Sequence, residues 1–563
     1  AGKEQWGVLY RGGRSASGRL GWAPAVLDAA RGPAVVGLPG HGPPLIWSPG
    51  PGRHVFAALS FSGREDAGQS MRSNASGIGV HAQVRVDSRW TVFDTFSNHS
   101  GPGRSLQPIA VGLGGAGDID FVAIDWSDGV FQSEIDLASG RAHRITETQR
   151  QTSSCPVLFA WNGERYAFVS DLLGVGGLGY LVAPGEYAPP RPWENLMLPP
   201  GPPDALRPKD GRYVLKLTEP MEEVCYLDAA RLVVYDLPPG WRMTLDERMA
   251  IAGPEPTGEP RFYRDELLPV QAVDGRGEDV TARLVEADLR AAPVGALDHR
   301  FLGRLAADQV ITLTFPEPLD ASAGEPILIA DGWIEYPYSQ TMFAAWQAGA
   351  DYRAPTLEAR GADGRWRPVL EQFGYPAGMP RQMSVPLGDL PAGTTQLRLS
   401  TNQEIYWDRL AVAYARPCPQ VRRRVQPLRA ARLGRSGFSL RTTGVQRLPH
   451  YDYDRRAPFW DTRHQRGLYT AFGPVDELLA ATDDALAVFG PGEEIHLEFE
   501  AASEPPETGW TRYFVFETAG WCKDMDLFTR DGETVGPLPA TGRPSAERDR
   551  LHERYLTRFQ SGR

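Results

Sequence analysis

The chain has 563 residues, 42% hydrophobic and 23% charged, with a formal net charge of −11. That length can bury several cores without cross-links or metals. The acidic balance argues against nucleic-acid and anionic-membrane partners, which need a basic surface. The basic residues are almost all arginine, with lysine only at Lys3, Lys209, Lys216 and Lys523. Gly (61) and Pro (49) punctuate the whole chain between short runs of β-branched, aromatic and aliphatic residues. The pattern predicts an all-β, multi-domain protein of β-sandwich or β-barrel-like modules with few helices. No apolar run approaches the roughly 20 residues of a membrane-spanning helix. The chain begins at Ala1 without a leader pattern, as expected of a processed or truncated product.

In chain order, residues 1–50 carry short strands, Ala34–Leu38 and Pro44–Trp47, between Gly/Pro turns, and read as a degenerate β-propeller-like blade. Residues 51–150 form the best-defined β domain. Within "IGVHAQVRVDSRW", Val80, Ala82, Val84 and Val86 alternate with His81, Gln83, Arg85 and Asp87, the period of a half-buried strand. Residues 151–320 open on a hairpin turning at Asn162-Gly163. They include a Pro/Gly-rich arm over 172–206, long enough to require packing over something or a contact role. "TLDERMAI" reads as a helical piece and "DVTARLVEADLR" is ambiguous. Residues 321–415 read as a compact, galactose-binding-like β-sandwich, and 416–563 as a basic connector followed by an α+β region. That last region has a short helix in "PVDELLAATDD" and a terminal helix in "SAERDRLHERYLTRFQ".

Three ordered elements carry a family resemblance: Asn74/Gly77/Ile78/Gly79, then Gly112/Leu113/Gly114, then Trp126/Asp128/Gly129, with Ile145–Glu147 closing the set. Over residues 70–150 the chain resembles the ASPIC/UnbV domain, a module that follows FG-GAP propeller repeats in secreted bacterial proteins and in cartilage acidic protein. The resemblance implies export, to a secreted, periplasmic or cell-surface location, and a β architecture. It implies no reaction.

Gly112–Gly117 also satisfies G-x-G-x-x-G, but a phosphate cradle needs a helix after the glycines. Here "DIDFVAIDW" follows, with strand period and acids that repel phosphate. Asp118, Asp120, Asp125 and Asp128 offer oxygen ligands for a structural calcium, the one cofactor candidate, at a spacing unlike an EF-hand loop. The aromatic cluster Trp333, Tyr336, Tyr338 and Trp346, with Tyr406 and Trp407, is the candidate ligand or partner site, set against the alternative that it is sandwich core. No G-x-S-x-G or H-E-x-x-H occurs. His450, Asp452, Asp454, Asp461 and His464 read as a polar loop, and Glu335, Glu371 and Asp408 are the carboxylates to test for glycosidase chemistry. Arg422–Arg424 and the acidic pairs Glu222-Glu223 and Asp483-Asp484 read as solvated surface, with the arginines able to dock on an acidic partner. Cys155, Cys225, Cys418 and Cys522 lie too far apart for a zinc knuckle or CxxC, leaving open two disulfides or four buried thiols.

The expectation is an exported, non-enzymatic binding or assembly module that engages a protein partner or itself, with no nucleic-acid partner and no membrane span. The alternatives are a carbohydrate-active enzyme with a glycan-binding sandwich, and a calcium-stabilised adhesion protein.

Overall fold

The computed structural model describes residues 21–39, 42–49, 54–63, 73–95, 108–127, 131–147, 155–201, 203–319, 321–456 and 464–562. About half the chain is strand, and the fold is all-β and multi-domain. Two compact units emerge, one on residues up to 150 and one on the chain beyond. No helix among the described residues is long and apolar enough to cross a membrane.

The first unit contains β1 (Gly21–Asp28), β2 (Gly32–Leu38), β3 (Leu45–Trp47), β4 (Phe56–Ser62), β5 (His81–Val86), β6 (Arg89–Asp94), β7 (Ile109–Gly112), β8 (Asp118–Asp125), β9 (Phe131–Ala138) and β10 (Ala142–Thr146). β1–β2–β3 is an antiparallel meander where the blade-like segment was expected. The sheets β10–β4–β7 and β6–β5–β8–β9 bury one core. Val80, Ala82, Val84 and Val86 all point into it with Leu59, Val122 and Ile124, as their period predicts. The glycines at 114 and 115 have φ of 61° and 101°, and Ala116 N donates to Leu113 O at 3.2 Å. Two consecutive positive φ values are what glycine supplies at no steric cost. A strand, not a helix, follows this turn.

The second unit contains β11 (Val157–Trp161), β12 (Tyr166–Asp171), β13 (Trp193–Met197), β14 (Arg212–Thr218), β15 (Glu223–Leu237), β16 (Arg304–Thr314), β17 (Glu325–Glu335), β18 (Arg381–Pro386), β19 (Gln396–Ala415), β20 (Arg422–Gln426), β21 (Leu428–Arg435), β22 (Pro449–Arg456), β23 (Glu493–Glu500) and β24 (Thr511–Asp524), with shorter strands between. One sheet runs β12–β11–β14–β23–β21 and a second runs β13–β24–β15–β20. They share a core that includes Leu215, Leu232, Leu497 and Phe516. A third sheet, β16–β19–β17–β18 with short flanking strands, has its own core around Leu328, Leu399 and Trp407. The outer sandwich is therefore assembled from both sides of an inserted one. The 172–206 segment packs rather than projects. β13 pairs with β24 from Trp193↔Ala519 to Met197↔Val515, and Leu196, Leu198 and Leu206 enter the outer core.

Some local expectations are corrected. "TLDERMAI" is no helix: its first two residues, Thr244 and Leu245, end the strand Arg242–Leu245, and Asp246, Glu247 and Arg248 follow as buried charges. The ion pairs of those three side chains outweigh local helix propensity. A helix absent from the sequence expectation, α1 (Ser339–Gln347), follows β17. The predicted α2 (Asp476–Leu479) and α3 (Ala546–Tyr555) form, α3 with Ser545 accepting from Arg548 N at 3.1 Å as its cap.

β15 and β19 each contain a bulge, and each bulge places an aspartate out of register: Asp228 and Asp408. Inward-facing residues switch parity there, from Cys225 and Leu227 to Ala230 and Leu232, and from Ile405 and Trp407 to Leu410 and Val412. Asp228 accepts from Asp483 N at 3.2 Å, and burial pushes its carboxyl up to about 6. A raised folded-state pKa contributes stability that is full below the unfolded value near 3.8 and is lost as pH rises through 6. Asp228→Asn should therefore raise the urea midpoint relative to the unaltered chain at pH 8, and the advantage should vanish at pH 4.

Candidate binding surface

The six aromatic residues expected to form one site are dispersed by the fold. Trp333 and Tyr406 are cross-strand partners on β17 and β19, stacked at 5.6 Å and 19°. They are buried beneath Ala291, Val294 and Leu448, with Trp333 Nε1 donating to Gln446 O at 2.8 Å. Trp407, next in sequence, faces the sandwich core, because the strand alternates faces at each residue. Tyr336 and Tyr338 pack edge-to-face in that same core at 6.1 Å. Trp346 lies apart on α1, 54% exposed beside Phe343. Five of the six are thus buried, and they do not form one exposed cluster.

Two of the three carboxylates singled out for catalysis, Glu335 and Asp408, have structural partners. Glu335 and Glu404 flank the buried Arg447, whose Nε lies 2.6 Å from Glu404 and whose Nη1 lies 3.6 Å from Glu335. Burial pushes both carboxyls up, against the pull of Arg447. Asp408 accepts from Leu289 N and Arg290 N, each at 3.0 Å. Glu371 is exposed. His450, Asp452 and Asp454 lie at or along β22, His464 is buried against Tyr469, and Asp461 falls outside the described residues. The arginines 422–424 sit on β20 and pair within the chain, to Glu507, Glu517 and Asp236. Of the acidic pairs, Glu223 and Asp484 are buried rather than solvated. All four cysteines are buried thiols.

A different surface stands out in the first unit. Trp90, Arg85, Phe121 and Ile135 are consecutive register partners across β6, β5, β8 and β9, so they form one row on the outer sheet face. Trp90 meets Phe121 edge-on at 6.0 Å, with Arg85 at 5.9 Å from both rings. Val92, on the next row, is 55% exposed, close to the 53% of Trp90. One end of this face carries His81 and Asp94, bonded at 2.7 Å. The sequence held a signal for it in "RWTVFD". Phe93 packs on the core while Trp90 and Val92 face outward, so this edge strand is apolar on both sides.

The elements around this row also have defined roles. Asn74 clamps a loop, its Oδ1 accepting from Ile78 N at 2.8 Å and its Nδ2 donating to Ile78 O at 2.7 Å. Gly77, at φ 60°, packs against the Phe61 backbone. Trp126 is buried edge-on to Phe61 at 6.2 Å and donates to Gln132 Oε1 at 2.9 Å. Glu147 receives the Ser73 hydroxyl. Residues 69–152 match the ASPIC and UnbV family. The Asn-x-x-Gly-Ile-Gly element of the ASPIC/UnbV domain is therefore a loop clamp, and its Gly-Leu-Gly element seats the buried Leu113 before the turn. Its tryptophan is core. Asp120 Oδ2 accepts from Asp87 N at 2.6 Å, while Asp128-Gly129 lies outside the described residues. No curated protein matches the chain.

Proposed function

We propose that the chain is an exported binding or assembly module that engages a protein partner, or another copy of itself, through the outer sheet face of its ASPIC/UnbV domain. The observation that carries this is the exposed Trp90–Arg85–Phe121–Ile135 row. Aromatic side chains and arginine are the groups enriched at interface hot spots, and this row places two aromatic rings around an arginine on an exposed sheet face. The export component rests on the family, whose members include secreted proteins. The carbohydrate-active alternative draws less support, since Glu335 and Asp408 are engaged by Arg447 and by backbone amides.

The test is sedimentation over a wide concentration range, together with surface labelling of producing cells. The unaltered chain should self-associate or label the cell surface through a captured partner. The double variant Trp90→Ser/Val92→Glu should lose that behaviour by at least tenfold while hydrogen-exchange protection of the core amides of Val122 and Ile124 stays native. A chain that is monomeric throughout and absent from the surface would overturn the proposal.

A further inference from the structure

Three of the four cysteines converge although they are remote in sequence. Cys225 and Cys522 are direct cross-strand partners on β15 and β24, and Cys155 precedes β11 in the same core. Cys225 has its own partner: its Sγ donates to Glu219 Oε2 at 2.8 Å. Cys155, Cys522 and Glu223 form a separate set, with their ligand atoms all within 4.8 Å of one another and each residue buried. Among the described residues this is the one group of three metal-capable side chains brought to such distances.

The set is not sealed in the core. Glu223 and Cys522 line a cavity of about 400 Å³, walled also by Tyr180, Tyr336, Tyr375 and Asp524. A glycine-rich turn crosses over the thiols. Leu173 there has φ 70° and its carbonyl accepts from Cys522 Sγ at 3.4 Å. A Cβ at Gly174 would lie 2.9 Å from Cys155 Sγ, so glycine is what lets the backbone pass so close.

We propose that Cys155, Cys522 and Glu223 bind a thiophilic divalent cation of the zinc class, with a fourth coordination position open to the cavity. Two sulfur donors select a soft or borderline cation over calcium or magnesium. Three protein ligands with one open position is the zinc arrangement that accepts water or a small exogenous ligand, whereas a closed structural site uses four. Two thiolates and one carboxylate carry three negative charges, which the cation reduces to one. Binding displaces both thiol protons to the buffer, so affinity falls as pH drops. Tyr336, expected from sequence to serve a ligand, is a wall of this cavity. The inference is independent of the proposed binding face, because it concerns the second unit alone.

Reduced, chelator-treated protein titrated with Zn²⁺ should retain one ion per chain after desalting, and Co²⁺ should give a thiolate-to-cobalt charge-transfer band. Cys155→Ser and Cys522→Ser should each weaken Zn²⁺ binding at least tenfold and diminish the band. Glu223→Gln should weaken binding while keeping the band, and Cys418→Ser, in a different core, should change neither. Should a variant fail to fold, Zn²⁺ must still slow alkylation of Cys155 and Cys522 in the unaltered chain. No retained ion, retention insensitive to all three ligand substitutions, or a Cys155–Cys522 disulfide that reduction does not convert into a metal-binding pair would each overturn the proposal.

Discussion

Replacing Arg381 by methionine should lower the unfolding free energy of the second unit by about 3–5 kcal/mol at pH 7, the usual cost of removing one partner from a buried ion pair. Arg381 lies on β18 of the inserted sandwich and is almost fully buried. Its guanidinium reaches Glu194 on β13 and the carbonyl of Asp171 on β12, with the Asp171 carboxylate at 3.5 Å. It therefore ties the inserted sandwich to both outer sheets. Burial pushes the Asp171 carboxyl up and Arg381 opposes that rise, so losing the guanidinium sends it higher still. The sign follows from linkage. A carboxyl with a raised folded-state pKa stabilises most below its unfolded value and loses that contribution as pH rises. The deficit of Arg381→Met should shrink as pH is lowered from 7 towards 4. Urea unfolding at pH 7, 5.5 and 4.5 measures it, and a deficit that grows on acidification would contradict the assignment.

Gly77→Ala should destabilise the first unit by about 2–5 kcal/mol. Strain at a left-handed backbone position adds to overpacking of a tight contact. Gly77 has φ 60°, and an added Cβ would sit 2.7 Å from both the Cβ and the carbonyl oxygen of Phe61. Gly77 N also donates to Asn74 O at 3.0 Å, closing the loop clamped by the Asn74 side chain. Trp126 packs on Phe61, so hydrogen exchange at the Trp126 backbone amide and those of Val122 and Ile124 reports the loss as lowered protection.

The parts of the fold legible in the sequence are those with local causes. Alternation at Val80–Val86 placed four core residues, the glycines at 114 and 115 gave a turn, and three short ordered motifs identified the domain. The Asn162 hairpin also formed, as a loop in which the Asn162 side chain accepts from Glu164 N and Arg165 N. What escaped has non-local causes. The Asp408 bulge changes which residues face the core, and no periodicity in "IYWDRLAVAYA" announces it. Tyr406 and Trp407 could therefore be named as aromatic but not assigned to a face. The Cys155–Cys522–Glu223 set exists only because β24 returns to pair with β15 from almost 300 residues further along the chain, so spacing rules for metal ligands were silent. Trp90 was within reach, since an edge strand apolar on both sides is visible in six residues.

The split construction of the outer sandwich has a consequence for the order of events during synthesis. β15 finds its long partner β24 only after residue 524 has been made, whereas the inserted sandwich is complete by residue 415. Domains form as units while the chain emerges, and pairings between distant segments come late. The inserted sandwich can thus fold while β13 and β15 wait for β24 and β14 waits for β23. Throughout that interval Glu223–Leu237 lacks its long partner and can pair only with short strands, Arg422–Gln426 along its second half and later Ala487–Phe489 near its start. Slower elongation between residues 415 and 511 would lengthen the wait, and the yield of folded protein should be most sensitive to chaperone supply over that stretch.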